Sequence, residues 1–329
     1  MILSISVSAE QITVQDLMLM LEHTESSVRM EAVDQLVEQN LVNADVLSKF
    51  VNLLDDPDYN VSQAAFRALT AAGGKAVPKL AEGLSKFKDP MKITVRQNIV
   101  RILGEIGGEE SVGVLIDALK DAASQVRRAA ALSLEQIGPT AINSCHPLAV
   151  LLMDRHEDSR VRAAAAQALG KLGSTDDIVV LALSTARVET DFQVVWAVQG
   201  ALNQLKIDTK VVVSALLNRA DDWELSAATQ DALIHVINTT DDAMDIIEDL
   251  YENDSTKRIA ILQQLASAYN KIKPEKHLQV ERLLKSALQD EDRNIQLTAA
   301  SGLMGSTENV VQLQAPLMAL VTDENQDLA

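Results

Sequence analysis

The sequence predicts an all-α chain, a right-handed α-solenoid (superhelix) of about nine helix–turn–helix repeats. Three observations predict it. One phrase occurs twice in a short stretch, as VRQNIVRILGEIG at 95–107 and VRRAAALSLEQIG at 126–138. The phrase has a helical period: Val126, Ala130, Leu134 and Ile137 fall on one face. It also recurs along the chain every 33 residues or so, by a spacing of roughly 33. Its first positions are Val28, Val61, Val95, Val126, Val161, Val194, Leu225, Lys257 and Ile295. Eight residues after each stands a leucine: Leu36, Leu69, Leu103, Leu134, Leu169, Leu202, Leu233, Leu265 and Leu303. A helix pair of this size cannot bury its apolar faces alone, so it must stack on neighbours. Residues 1–329 are therefore expected to form a single solenoid domain.

The elements follow in order. Residues 1–12 are a Ser-rich lead or part of a cap, and the repeats occupy 13–304. Repeat one runs from about Thr13 to Asn40, with VQDLMLMLEH as its first helix. Repeat two spans Ala44 to Gly73, and Pro57 in DDPDYN separates its helices. Repeat three starts near Ala76, with Pro78 in the first turn, where a missing N–H is harmless. Repeats four and five cover 111–138 and 141–173, and Gly138–Pro139 and Gly173 should end them in the αL conformation. Repeats six to nine cover 177–205, 209–236, 241–269 and 277–304, and their phrase is degenerate. Residues 305–329 form a C-terminal cap, VVQLQAPLMALV, and a polar acidic tail.

Composition agrees with this architecture. Apolar residues make up 47% and aromatics 3%, as expected where Ala and Leu pack helix on helix. The single Cys145 cannot make an internal disulfide, which favours a reducing compartment. The N-terminus lacks the basic region of a signal peptide, and no apolar run reaches the ~18 residues of a membrane span. A soluble cytoplasmic protein is expected. The net charge of −18 argues against nucleic acid and against anionic membrane surfaces. Basic or neutral protein partners fit better, although acid also keeps an Ala- and Leu-rich solenoid in solution. Acid clusters in repeats seven and eight, at Asp221, Asp222 and Glu224, then Asp241, Asp242, Asp245, Glu248 and Asp249.

The phrase V-R-x-x-A-x-x-x-L-G-x-I/L-G, seen at 95–107 and 161–173, resembles the short HEAT repeat, the variety named after phycobilisome lyases. Tetratricopeptide and ankyrin signatures are absent. The resemblance covers about 28–304 and implies fold more than function. It also implies a ladder between an Asp in the turn and the Arg after the Val. Asp121 and Arg127, Asp158 and Arg162, and Asp254 and Arg258 match that pattern; Ser62, Val195, Ser226 and Gln296 depart from it. Physical reasoning from the residues agrees that such an Arg can satisfy helix-end carbonyls and pair the acid, which makes these residues structural.

Chemical motifs are weak. The single pair His156–Glu157 cannot supply the di-iron ligands that HEAT-type deoxyhypusine hydroxylases draw from several such pairs, and it reads as a solvated turn. Asp56-x-Asp58-x-Asn60 opens like a calcium loop, but Val61 replaces the required Gly and Arg67 the closing Glu. Asp58 or Asn60 as a helix cap is the better reading. Nothing activates the Cys145 thiol, so burial is its expected state. No catalytic residue, metal ligand or cofactor site is predicted. A non-enzymatic scaffold, adaptor or assembly factor is the expected function. The alternative, implied only by the repeat subtype, is a lyase-like factor that attaches a bilin chromophore.

A partner site follows from the phase. With positions 0, +4, +8 and +11 in the core, positions +2, +6 and +9 of the second helices point away from it. In a HEAT-like stack these would floor the concave groove. In repeats two to five they are mostly polar or small, for example Gln63, Arg67, Gln97, Arg101 and Gln167. In repeats six to nine they become apolar: Trp196, Ile234, Ile259, Leu297 and Met304. An apolar strip of this kind marks a partner-binding groove, and Trp is enriched among binding hot spots. A shift of one residue in the register of the degenerate repeats would instead return these side chains to the core.

Overall fold

The computed structural model describes residues 12–219 and 226–306. Every described element is helical, and no strand occurs among the described residues. The predicted terminal cap and tail, the lead up to Gln11, and Asp221, Asp222 and Glu224 lie outside them. The chain divides into two compact units, one up to Leu151 together with His156–Leu172, the other comprising Leu152–Arg155 and the described residues from Gly173 on.

The first unit is a stack of helix pairs: α1 (Val14–Met20) with α2 (Ser26–Glu38), α3 (Ala44–Leu53) with α4 (Tyr59–Ala72), α5 (Val77–Lys86) with α6 (Ile93–Ile106), α7 (Gly108–Ala118) with α8 (Ser124–Ile137), and α9 (Cys145–Met153) with α10 (Ser159–Leu172). Local chemistry sets the boundaries. Thr13 caps α1 by accepting from the Asp16 N–H, while the Asp16 carboxylate accepts from the Thr13 N–H at 2.9 Å, a reciprocal capping box. Asp58 caps α4 by accepting from the Asn60 N–H at 2.8 Å, the role expected of it in place of calcium binding. Pro78 sits in the first turn of α5, as expected. One expected glycine stop differs: Gly138 has φ of 74° but ψ of −147°, and Gly107, which ends α6, is alike at 68° and −162°. They occupy the extended region that only glycine enters, not αL.

The second helices stack on one another in series, α2 on α4, α4 on α6, α6 on α8 and α8 on α10. A close approach is at Gly104 of α6, where a Cβ would stand 2.7 Å from the Ser133 Cβ of α8. The Ser133 hydroxyl donates across the same gap to the Val100 carbonyl at 3.1 Å.

The second unit continues the helix-pair pattern with α11 (Asp177–Ala186) and α12 (Phe192–Leu205), α13 (Thr209–Leu217) and α14 (Ser226–Thr239), α15 (Ala243–Asn253) and α16 (Arg258–Ala268), and α17 (Pro274–Ala287) and α18 (Arg293–Ser306). Here α16 and α18 approach closely: a Cβ on Gly302 would stand 2.7 Å from the Ala266 Cβ. By contrast, α12 packs mainly on α11, and α12 and α14 make little contact.

The predicted phase is correct. The leucines at +8 are buried at Leu36, Leu69, Leu103, Leu134, Leu169, Leu233, Leu265 and Leu303; Leu202 alone is half-buried. The +4 residues are buried in all nine repeats, down to Thr229 and Ile261. Cys145 is buried as well.

The arginine ladder exists, but its rungs join successive repeats. Arg29 makes a two-pronged pair with Asp56 at 2.7 Å for both prongs, while its Nη1 donates to the carbonyls of His23 and Thr24. Arg96 does the same with Asp121 and with the carbonyls of Phe87 and Asp89. Arg127 takes Glu157 and the carbonyls of Asp121 and Ala122, and Arg258 takes Asp290 and the Tyr251 and Glu252 carbonyls. The expected pairing of Asp121 with Arg127 is thus corrected: Arg127 uses the Asp121 backbone, and the Asp121 side chain belongs to Arg96. Asp254 likewise pairs with Lys257, not Arg258. Glu157, read as part of a solvated turn, has a side chain only 5% exposed because it is the acid of a rung. Where Arg is absent, Ser62 and Gln296 still satisfy a turn carbonyl, donating to Leu54 and Asp290 respectively.

Candidate functional site

Helix α12 carries the most conspicuous unsatisfied surface. Asp191 opens it, accepting from the N–H groups of Gln193 at 2.8 Å and Val194 at 3.3 Å. Its inner face buries Val194, Ala197, Val198 and Ala201, which anchors the helix and fixes what points outward. Outward stand Trp196, 67% exposed, and Phe192, 78% exposed. They are four residues apart on one helix, so their rings project from adjacent turns of one face. The other phenylalanines, Phe50, Phe66 and Phe87, are all buried. The next turns of the face are Gln199, Gly200 and Asn203, with the Gln199 amide donating to Asn203 at 2.9 Å.

The remaining predicted residues divide. Leu297 and Met304 on α18 are 48% and 51% exposed, as expected. Leu297 lines a hollow of about 540 Å³ together with Gln263, Ala266, Ser267, Thr298, Ser301 and Gly302. Ile234 is a correction: it is 8% exposed and belongs to the core of the second unit. The reason is the width of α14's buried face, because α14 touches α11, α13, α15 and α16 and so buries Ala232, Leu233, Ile234, Val236 and Ile237 together. Ile259 is half-buried against the same core. Between α12 and α18 the outward positions are polar and mutually bonded. Gln230 donates to Ser267 at 2.5 Å, and Lys271 reaches Asp231 at 3.3 Å. The predicted continuous strip is therefore two apolar islands, one on α12 and one on α18.

Phe192 escaped the sequence reading because it stands two positions before the repeat phrase begins. The signal was present as a second rare aromatic four residues from Trp196. The acid of repeat eight is on the surface at Asp241, Asp242, Asp245 and Asp249, and Asp249 is partly neutralised by Lys210 at 2.8 Å. The hydrogen bond from Lys210 holds the Asp249 carboxyl below the usual carboxylate range. Tyr251 beside the Arg258–Asp290 rung titrates high, pushed up to about 12 first by burial and then by the Asp290 charge. That group is part of the rung and faces no cleft of its own. Among the described residues no cluster of three His, Cys, Asp or Glu gathers with metal-ligand geometry, and no helix is long and apolar enough to cross a membrane.

A family model described as HEAT repeats matches residues 14–93 and 84–144. Among solved structures, similarity extends to the complex of CpcE and CpcF of phycocyanin lyase from Nostoc sp. PCC7120, at 19% identity over 87% of this chain and 98% of that one, with a TM-score of 0.33. It extends also to Kap121p, at 14% identity over 94% of this chain and 39% of that one, with a TM-score of 0.42. No curated protein matches the sequence.

Proposed function

For a chain whose residues 14–144 match HEAT repeats, we propose a non-enzymatic role as a protein-interaction scaffold, acting in the cytoplasm through the outward face of its later repeats. The observation that carries this reading is the Phe192–Trp196 pair, two large aromatics left in water on a helix whose other face is fully packed. Exposing two such rings forgoes about 1.5–3 kcal/mol each of burial, a surface that association with a partner would cover. The partner is a protein segment that sets an apolar contact over Trp196 and carries basic side chains. Charge complementarity supports the second part: the chain is at −18, and Asp241, Asp242 and Asp245 are exposed.

The test is capture from native extract by the intact chain and by Trp196→Ala, with captured proteins identified and their association rates measured against salt. The expected outcome is one partner lost with Trp196→Ala at unchanged melting temperature, associating more slowly as salt rises. Capture that ignores Trp196→Ala removes the aromatic site, and association kinetics indifferent to salt reduce the acid to a solubility device.

A further inference from the structure

Where α12 and α14 part, a void of about 140 Å³ opens inside the second unit. It is lined by Ser184 and Arg187 at the C-terminal end of α11, by Gln199, Leu202 and Asn203 of α12, and by His235 of α14. Leu202 is the one +8 leucine that is not fully buried, and the void is the reason.

Two polar groups of this void, Ser184 and Arg187, lack a side-chain partner among the described residues, whereas Gln199 and Asn203 bond to each other. Ser184 is 5% exposed, and its hydroxyl has no hydrogen-bond partner. A hydroxyl inside a helix commonly bonds back to the preceding turn, as neighbouring Thr185 does to Leu181 at 2.9 Å; Ser184, like Ser111 and Thr229, does not. Among the described residues half-buried Arg187 makes no ion pair, and no carboxylate lines the void. The end of a helix favours a cation there, but that leaves the orphaned serine unexplained.

We propose that this void binds a single carboxylate group, held by the Arg187 guanidinium with the Ser184 hydroxyl and the His235 imidazole beside it. The guanidinium fork matches a carboxylate with two parallel N–H donors, and the serine supplies a third donor to an otherwise unsatisfied oxygen. The void has room for a few waters at roughly 30 Å³ each, hence for a small acid or the end of an acidic side chain. Burial, and then the Arg187 charge, push the His235 imidazole below its ordinary pKa, so at neutral pH it is uncharged. The site then carries one positive charge, which matches a carboxylate and not a phosphate dianion. Arg187 is the other titratable group facing His235; α12 presents Gln199, Leu202 and Asn203, and α13 presents Val212. A bound carboxylate would offset Arg187 and raise the His235 pKa. Gln199 and Asn203, which continue the aromatic face, also border the void, but neither Phe192 nor Trp196 reaches it.

The experiment follows the histidine ring resonances of the full chain by NMR, with His235 assigned through its loss in His235→Gln. Acetate, N-acetyl-glutamate amide and inorganic phosphate are titrated separately. The expected result is a saturable shift of His235 with acetate or the blocked glutamate, with its pKa rising on saturation. Arg187→Gln should weaken binding about tenfold or more, as loss of a charged hydrogen-bond pair does. Ser184→Ala should weaken it less without lowering the melting temperature, because it deletes an unsatisfied hydroxyl. Tighter binding of the blocked glutamate than of acetate identifies a protein side chain as the natural source; equal or weaker binding identifies a free acid. No saturable shift with either carboxylate, undiminished binding in both variants, or phosphate binding more tightly than acetate would overturn the proposal.

Discussion

The two units are built from one repeat, yet they finish it differently. In the first, second helices stack in series, small residues sit at the tightest crossing, and arginines bind turn to turn except at Ser62. In the second, the same contact is kept between α16 and α18, is slight between α14 and α16, and is given up between α12 and α14. What is lost there is packing, and what appears is an exposed aromatic pair and a polar void. A solenoid is stabilised by nearest-neighbour interfaces, so a loosened interface can carry a site without unfolding the rest. The regular repeats specify fold, and the irregular ones are where function is best sought.

The largest expected effect breaks the stitched side of the comparison. Arg96 and Asp121 have side chains 3% and 16% exposed. Arg96→Ala strands that acid and the carbonyls of Phe87 and Asp89, so it should cost ~3–5 kcal/mol in urea melts. A cost under about 1 kcal/mol would mean that water replaces the guanidinium freely, as at surface pairs. Next comes the pair of equivalent leucines. Leu134 is fully buried, and Leu134→Ala should cost ~2–5 kcal/mol through lost burial plus a cavity. Leu202→Ala, which enlarges an existing void beside a half-buried side chain, should fall at or below the bottom of that ~2–5 kcal/mol range. Equal costs would show that the α12–α14 gap closes in solution.

The glycines sharpen the contrast with opposite signs. Gly104→Ala drives a methyl into Ser133 and should destabilise by ~1–3 kcal/mol. Gly200→Ala meets open space inside a helix and should stabilise by ~0.5–1 kcal/mol. Destabilisation at Gly200 would place a neighbour where none stands.

The sequence made most of the fold legible because the repeat phrase is a packing rule. Valine, alanine and leucine at fixed offsets face the core wherever helices pair, and even the degenerate repeats obeyed it at Thr229 and Ile261. The arginine rungs were legible as residue types but not as pairs. An Arg and an Asp six residues apart look like partners in one dimension, whereas stacking brings the next repeat's acid closer. Ile234 failed for a related reason. Positions that face away from a single neighbour are buried when a helix has four, and the number of neighbours is not written in one helix's period. Phe192 lay outside the phrase, and the void around Leu202 follows from how two helices part, which no offset within a repeat records.

The central claim is that Trp196 stands in water in the free protein and is covered by a partner. Its fluorescence tests this most directly, in a Trp223→Phe background that leaves Trp196 as the one indole. The account predicts red, water-exposed emission that acrylamide quenches freely, and a blue shift with protection once the partner is bound. Blue emission shielded from acrylamide in the free protein would contradict it.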